Sequence, residues 1–209
     1  LAVIGEIKRM SPSAGRFDSL HETDTRARLY EEGGARAISV VTEPHFFGGS
    51  HALIAEAKEA TSLPVLQKDF IVDVCQVHEA KSAGADALLL IARIVPPQTL
   101  ASLVAEAQRV GIEPVVEIYS HTELPHALRT AARIIAVNAR NLDTFAVDVR
   151  EACAVLAAVP SSRLRVGFSG VTGAEDAQRY KAAGAEAVLV GTALMQSRNP
   201  AAELRTFAV

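Results

Sequence analysis

Apolar runs of four to six residues recur along the chain, alternating with stretches whose apolar positions repeat every three or four residues. The short runs read as strands buried on both faces, the periodic stretches as amphipathic helices. The strand candidates are Ala2 to Ile7, Ala37 to Val41, Val65 to Lys68, Ala87 to Ile91, Pro114 to Ile118, Ile134 to Asn138, Leu164 to Phe168 and Ala187 to Gly191. Between them, Leu100, Leu103, Val104 and Ala107 follow the i, i+3, i+4, i+7 spacing of one helix face, as do Ala152, Val155, Leu156 and Val159. Eight strand-then-helix units in 209 residues predict an α/β chain folded as a (β/α)8 TIM barrel. The rival is an open doubly wound sheet, which usually carries a glycine-rich fingerprint after its first strand. Here that loop reads Arg9-Met10-Ser11-Pro12-Ser13-Ala14-Gly15 and lacks it, so the barrel is expected. No linker or low-complexity tract divides the chain, and residues 1–209 read as one domain.

An internal echo supports the repeat. Gly34-Ala35, Gly84-Ala85 and Gly184-Ala185 each end a helical stretch and lead into a strand, fifty and then a hundred residues apart. Glycine after a helix takes the left-handed conformation without a Cβ penalty, which predicts a helix stop at each.

Composition narrows the function. With 49% hydrophobic residues and 22% charged, the chain can bury a sizeable core. A formal net charge of −3 argues against a nucleic-acid or membrane surface, and the apolar stretches are too short to span a bilayer. No secretory pattern opens the chain, and Cys75 and Cys153 lack metal or disulfide spacing, which fits a reducing cytoplasm. The six histidines form no HxxxH pair, so no metal is expected.

Polar residues gather where the apolar runs end. Glu6 and Lys8 share one face of the first strand, Lys68 ends the third, and Glu117, Asn138 and Arg140 follow on the fifth and sixth. Glu43 and Ser169 repeat the pattern. In a (β/α)8 barrel these ends converge on the active site. Single members could be structural ion pairs, but six unlike polar groups in one mouth point to catalysis. Two lysines and two glutamates suit acid–base work, and a Schiff-base lysine is the alternative; spacing alone does not separate them.

A phosphate site is suggested by Ser169-Gly170-Val171-Thr172-Gly173 and Gly191-Thr192-Ala193, after strands seven and eight, where backbone N–H groups can approach an anion. Ser11 and Ser13 could add hydroxyls across the mouth; ordinary turn and cap use is the competing explanation. Phe46, Phe47 and Phe70 could line an aromatic pocket or pad the rim. The residues alone indicate a cofactor-free barrel enzyme for a phosphorylated, partly aromatic substrate.

Val3-Ile4-Gly5-Glu6-Ile7-Lys8-Arg9-Met10-Ser11-Pro12-Ser13-Ala14-Gly15 resembles the first strand and loop of indole-3-glycerol phosphate synthases. The resemblance continues through Leu66-Gln67-Lys68-Asp69-Phe70, Val115-Val116-Glu117-Ile118, Val137-Asn138-Ala139-Arg140-Asn141-Leu142 and Val190-Gly191-Thr192-Ala193-Leu194-Met195, in the family's order. It implies a lyase of tryptophan biosynthesis. Such an enzyme converts 1-(2-carboxyphenylamino)-1-deoxyribulose 5-phosphate to indole-3-glycerol phosphate with loss of carbon dioxide and water, without a cofactor. Carried onto this chain, Lys68 is the first acid, and Lys8 serves the substrate carboxylate and the later dehydration. Glu117 is the acid–base partner, Glu6 holds the lysines and Asn138 orients the intermediate. Arg140 then binds substrate, while Ser11, Ser13, Ser169, Gly170, Gly191 and Thr192 hold the phosphate. Phe47, Phe70 and Leu89 pack against the aromatic ring.

Three departures stand out. The family pattern Glu-Ser-Gly-Ile after strand seven reads Phe168-Ser169-Gly170-Val171 here, an aromatic ring in place of a glutamate. The chain also opens at its first strand, without the family's N-terminal helical extension. Gln67 stands where the family often has arginine, and its Asn-Asn-Arg-Asp-Leu reads Asn138-Ala139-Arg140-Asn141-Leu142. Phe168 keeps a second reading open, a catalytically impaired paralogue that binds a phosphorylated ligand or a partner enzyme. The expected setting is a cytoplasmic monomer, with other tryptophan-pathway enzymes as partners.

Overall fold

The structure is a computed structural model describing residues 1–12, 15–17 and 22–209. Eight parallel strands close on themselves in chain order: β1 (Ala2–Ile7), β2 (Ala37–Val41), β3 (Val65–Lys68), β4 (Ala87–Ile91), β5 (Glu113–Ile118), β6 (Ile134–Asn138), β7 (Leu164–Phe168) and β8 (Ala187–Val190). The (β/α)8 expectation is borne out, with β5 one residue longer and β8 one shorter than the sequence pattern suggested. Closure runs through β1, where Ala2 pairs with Ala187 on β8 and Ile4 with Ala37 on β2.

Helices α1 (Thr23–Glu32), α2 (Pro44–Phe47), α3 (Ala52–Ala60), α4 (Val74–Ser82), α5 (Pro97–Arg109), α6 (Leu124–Leu128), α7 (Val149–Ala158), α8 (Ala174–Ala182), α9 (Thr192–Gln196) and α10 (Pro200–Phe207) flank the barrel. Leu100, Leu103, Val104 and Ala107 are the buried face of α5, as their spacing requires. Side chains alternate along each strand. On β4, Leu88 and Leu90 therefore pack under the helices, while Leu89 and Ile91 fill the barrel with Leu66, Val115, Val166, Phe168 and Leu189. Both faces being buried, the strands read as unbroken apolar runs.

The glycine stops behave as expected: φ is +92° at Gly34, +89° at Gly84 and +95° at Gly184. At the first, the Gly34 N–H donates to the Glu31 carbonyl and the Ala35 N–H to that of Tyr30, which satisfies the last carbonyls of α1. Gly111 (φ +73°) ends α5 in the same way, outside the fifty-residue spacing.

Two helices come unusually close to the sheet because a strand residue is glycine. An added Cβ would lie 2.3 Å from Cδ2 of Tyr30 at Gly5 and 2.4 Å from Cδ1 of Tyr180 at Gly167. Gly5→Ala is therefore expected to lower stability by roughly 1–3 kcal/mol through overpacking, measurable by urea denaturation.

Candidate active site

The C-terminal ends of the strands surround a cavity of about 930 Å3. Its size suits a drug-sized ligand. Glu6 on β1 points into it and is 4% exposed. Its carboxylate meets Lys8 Nζ at 2.7 Å and Lys68 Nζ, from the last residue of β3, at 4.0 Å. Burial pushes the Glu6 carboxyl up, but the ammoniums of Lys8 and Lys68 outweigh it, and the group rests below its ordinary value. Lys8 also stands 5.7 Å above the Phe17 ring.

Opposite, Glu117 on β5 is 3% exposed and accepts from Asn138 Nδ2 at 3.0 Å. The Asn138 amide is held in that orientation because its oxygen takes the Arg140 N–H at 3.0 Å. Glu117 Oε2 is buried without a hydrogen bond among the described residues. Here burial wins over Lys68 and Asn138, and the carboxyl is raised. Two carboxyls in one cavity are thus pushed apart, Glu6 toward a fixed anion and Glu117 toward a group that can exchange a proton.

Of the expected phosphate residues, Ser11, Ser169, Gly170, Gly191 and Thr192 all line the cavity; Ser13 lies outside the described residues. Gly191 leaves room where the ion pair sits, since an added Cβ would fall 2.2 Å from Glu6 Oε1 and 2.9 Å from Lys8 Nζ. Ser169 (φ +65°) and Phe145 (φ +59°) are the non-glycine residues with positive φ among those described, and both face the cavity. That conformation costs an L-residue roughly 1–2 kcal/mol, and such strain clusters at functional sites. The Phe145 carbonyl receives Arg140 Nη1 at 3.0 Å, tethering one edge of the guanidinium.

The apolar wall differs in part from expectation. Phe47 and Phe70 line it, their rings tilted with centroids 6.4 Å apart. Leu89 does not: it is fully buried in the barrel interior, and Ile91, two residues on and on the same strand face, holds the wall position. Ile94, which ends a short 3-10 turn, and the loop residues Leu142, Phe145 and Val147 also line the wall and escape the sequence pattern, because short turns and loops carry no periodic signal. Phe168 is 1% exposed, paired in register with Asn138 and Leu189, so an apolar ring forms the floor beside Asn138. Glu43, grouped by sequence with the strand-end polar residues, caps α2 instead. Its carboxylate accepts the N–H groups of His45 (2.8 Å), Phe46 (2.6 Å) and Phe47 (3.1 Å).

Lysines paired to a buried carboxylate, a second carboxyl able to hold a proton, and an aromatic wall at the strand ends together define a barrel enzyme built for acid–base chemistry. More narrowly, the chain belongs to the indole-3-glycerol phosphate synthase family. The model of that family, described as Indole-3-glycerol phosphate synthase, matches residues 1–207. The indole-3-glycerol phosphate synthase of Mycobacterium sp. (strain KMS) is 44% identical over 200 residues, covering 96% of this chain and 74% of that protein. Indole-3-glycerol phosphate synthase 2 of Streptomyces coelicolor is 43% identical over 205 residues, covering 98% and 80%. Among solved structures, a 3-hexulose-6-phosphate synthase superposes with a TM-score of 0.78 at 19% identity over 99% of this chain and 98% of its own, a likeness of fold. No helix among the described residues is long and apolar enough to cross a membrane.

Glu117 gives this site a pH signature. Because its folded pKa is raised, the neutral carboxyl's stability is present below the ordinary value and lost as pH rises through the raised one. Thermal melts at stepwise pH are expected to show the difference between Glu117→Gln and the parent growing in the variant's favour from acid pH upward, then levelling off.

Proposed function

We propose that this chain closes the indole ring of indole-3-glycerol phosphate from 1-(2-carboxyphenylamino)-1-deoxyribulose 5-phosphate, and that the residues around Glu6 divide the work. The observation that carries the reading is the Glu6 carboxylate gripping Lys8 while facing Lys68 beside the aromatic wall. Lys68 protonates the ketone oxygen as the ring carbon bearing the carboxylate attacks the ketone carbon. A new carbon–carbon bond forms, and carbon dioxide leaves with ring aromaticity restored. Lys8 holds the carboxylate before it departs. The hydroxyl made from the ketone then takes a proton and leaves as water, while a proton is withdrawn from the intermediate to complete the indole. Glu117, whose carboxyl can exchange a proton, serves this second stage with Lys8, and Asn138 fixes the intermediate. The Glu6 anion keeps both ammoniums in place.

The phosphate is taken by Ser11, Ser13 and the loops carrying Ser169, Gly170, Gly191 and Thr192, with Arg140 as a further cation for the substrate. Phe47 and Phe70 pack against the aminobenzoate ring. The same reading takes residues 1–209 as one catalytic domain, working as a cytoplasmic monomer alongside other tryptophan-pathway enzymes.

Phe168 favours the second reading, an impaired paralogue, because its ring offers no hydrogen-bond acceptor on the floor beside Asn138. A fluorescence assay for indole product separates the two. Active parent protein is expected, with Lys68→Ala reducing turnover by roughly 10²–10⁴-fold, the usual share of a general acid. A silent parent that gains activity as Phe168→Glu would establish the impaired form; equal turnover in parent and Lys68→Ala would remove Lys68 from the chemistry.

Substituting Gly191 tests the ion pair by another route. Gly191→Ala is expected to displace the Glu6 carboxylate and cost roughly tenfold or more in kcat/KM, about the weight of one charged hydrogen bond.

A further inference from the structure

Two tyrosines reach the active site from behind by the same construction. Tyr30 on α1 and Tyr180 on α8 are fully buried, and each ring lies over the glycine of its own unit's strand, Gly5 or Gly167. Past that glycine, each hydroxyl donates to the carbonyl of the next residue: Tyr30 to Glu6 at 3.1 Å, Tyr180 to Phe168 at 3.2 Å. Tyr180 also reaches the Ser169 carbonyl at 3.1 Å. Each tyrosine stands four residues before a left-handed glycine, Gly34 or Gly184. In the third unit, before Gly84, the sizes are exchanged. Ala80 holds the helix position, and the strand position is Gln67, which meets His51 at 3.2 Å instead.

Filling space over a glycine needs only a ring. A buried phenol adds a polar atom that costs stability unless it is hydrogen-bonded, so the hydroxyls call for a reason. Burial holds both phenols above their ordinary range, and both stay protonated donors.

We propose that Tyr180 is a positioning residue for the substrate phosphate, acting through the backbone of the Ser169–Gly170 turn, and that Tyr30 is its counterpart for the Glu6 carboxylate. The inference rests on the phosphate and acid–base roles assigned above. Ser169 and Gly170 carry successive positive φ values of +65° and +72°. Glycine holds that conformation freely; serine needs an anchor. The Phe168 carbonyl also receives the Ala139 N–H at 2.9 Å, whereas the Ser169 carbonyl has the tyrosine as its partner. Freed of that bond, Ser169 relaxes toward negative φ and turns the peptide groups of the loop away from the anion. Tyr30 instead fixes the main chain of Glu6, and with it the height at which the carboxylate meets Lys8 and faces Lys68.

Tyr180→Phe and Tyr30→Phe, each keeping its ring over glycine, test the pair against the parent enzyme. Parent turnover is measured first, so absence of the reaction counts against the proposed function and not against this inference. Tyr180→Phe is expected to raise KM and the inhibition constant of inorganic phosphate together by about tenfold, with kcat held within about twofold. Tyr30→Phe is expected to lower kcat by about tenfold and leave phosphate inhibition unchanged. With a silent parent, calorimetric titration of inorganic phosphate decides: weakened binding in Tyr180→Phe alone supports the assignment. Equal effects of the two substitutions, or lower melting temperatures with no split between KM and kcat, would reduce both tyrosines to packing and overturn it.

Discussion

A closed parallel barrel buries both faces of every strand, so an ionised side chain pointing inward is tolerable only at the open end and only with compensation. Glu6 is that side chain. Its desolvation is offset by Lys8 and Lys68, which thereby lose much of their freedom to wander into solvent. Gly191 must stay without a side chain for the pair to fit, and β8 must end there. Much of the cavity's polar geometry follows from keeping one carboxylate ionised at the mouth.

Glu117 shows the opposite solution to the same problem. It lies just as deep, but its hydrogen-bond partner is a neutral amide rather than an ammonium, and its other oxygen has no hydrogen bond among the described residues. The result is a carboxyl that burial holds above its ordinary value. Position on the strands differs little between the two; what faces them separates a carboxyl held below its ordinary value from one held above it.

Strand positions are legible because burial on both faces leaves little room for charge until the run ends, and that end is where the cavity opens. The ends of the apolar runs are thus enough to bring Glu6, Lys68, Glu117 and Asn138 together. Leu89 and Ile91 mark the limit. Alternation shows that both point inward, but not which of two layers faces the cavity. Glu43 resembles a site residue because a strand-end carboxylate reads alike whether it meets a substrate or three backbone N–H groups. The bend at Phe145 is hidden, since a positive φ on an aromatic residue reflects contacts that the local sequence does not encode. Tyr30 and Tyr180 are hidden for a related reason: helix periodicity reports that a residue faces inward and says nothing of what its hydroxyl finds there.

Barrel closure has a consequence for the order in which the chemistry can come into being. Ala2 pairs with Ala187 and Gly5 with Val190, so the strand that bears Glu6 and leads into Lys8 acquires its second neighbour from the last strand of the barrel. On a ribosome, β1 is made before the other seven strands and must wait for β8 before its second edge is paired. Until β8 is synthesised and docks, Glu6 has an unfinished wall beside it, and a chain stopped after seven units carries both lysines, both carboxylates and no closed cavity. The earliest-made strand of the barrel is therefore among the last to have its site completed around it.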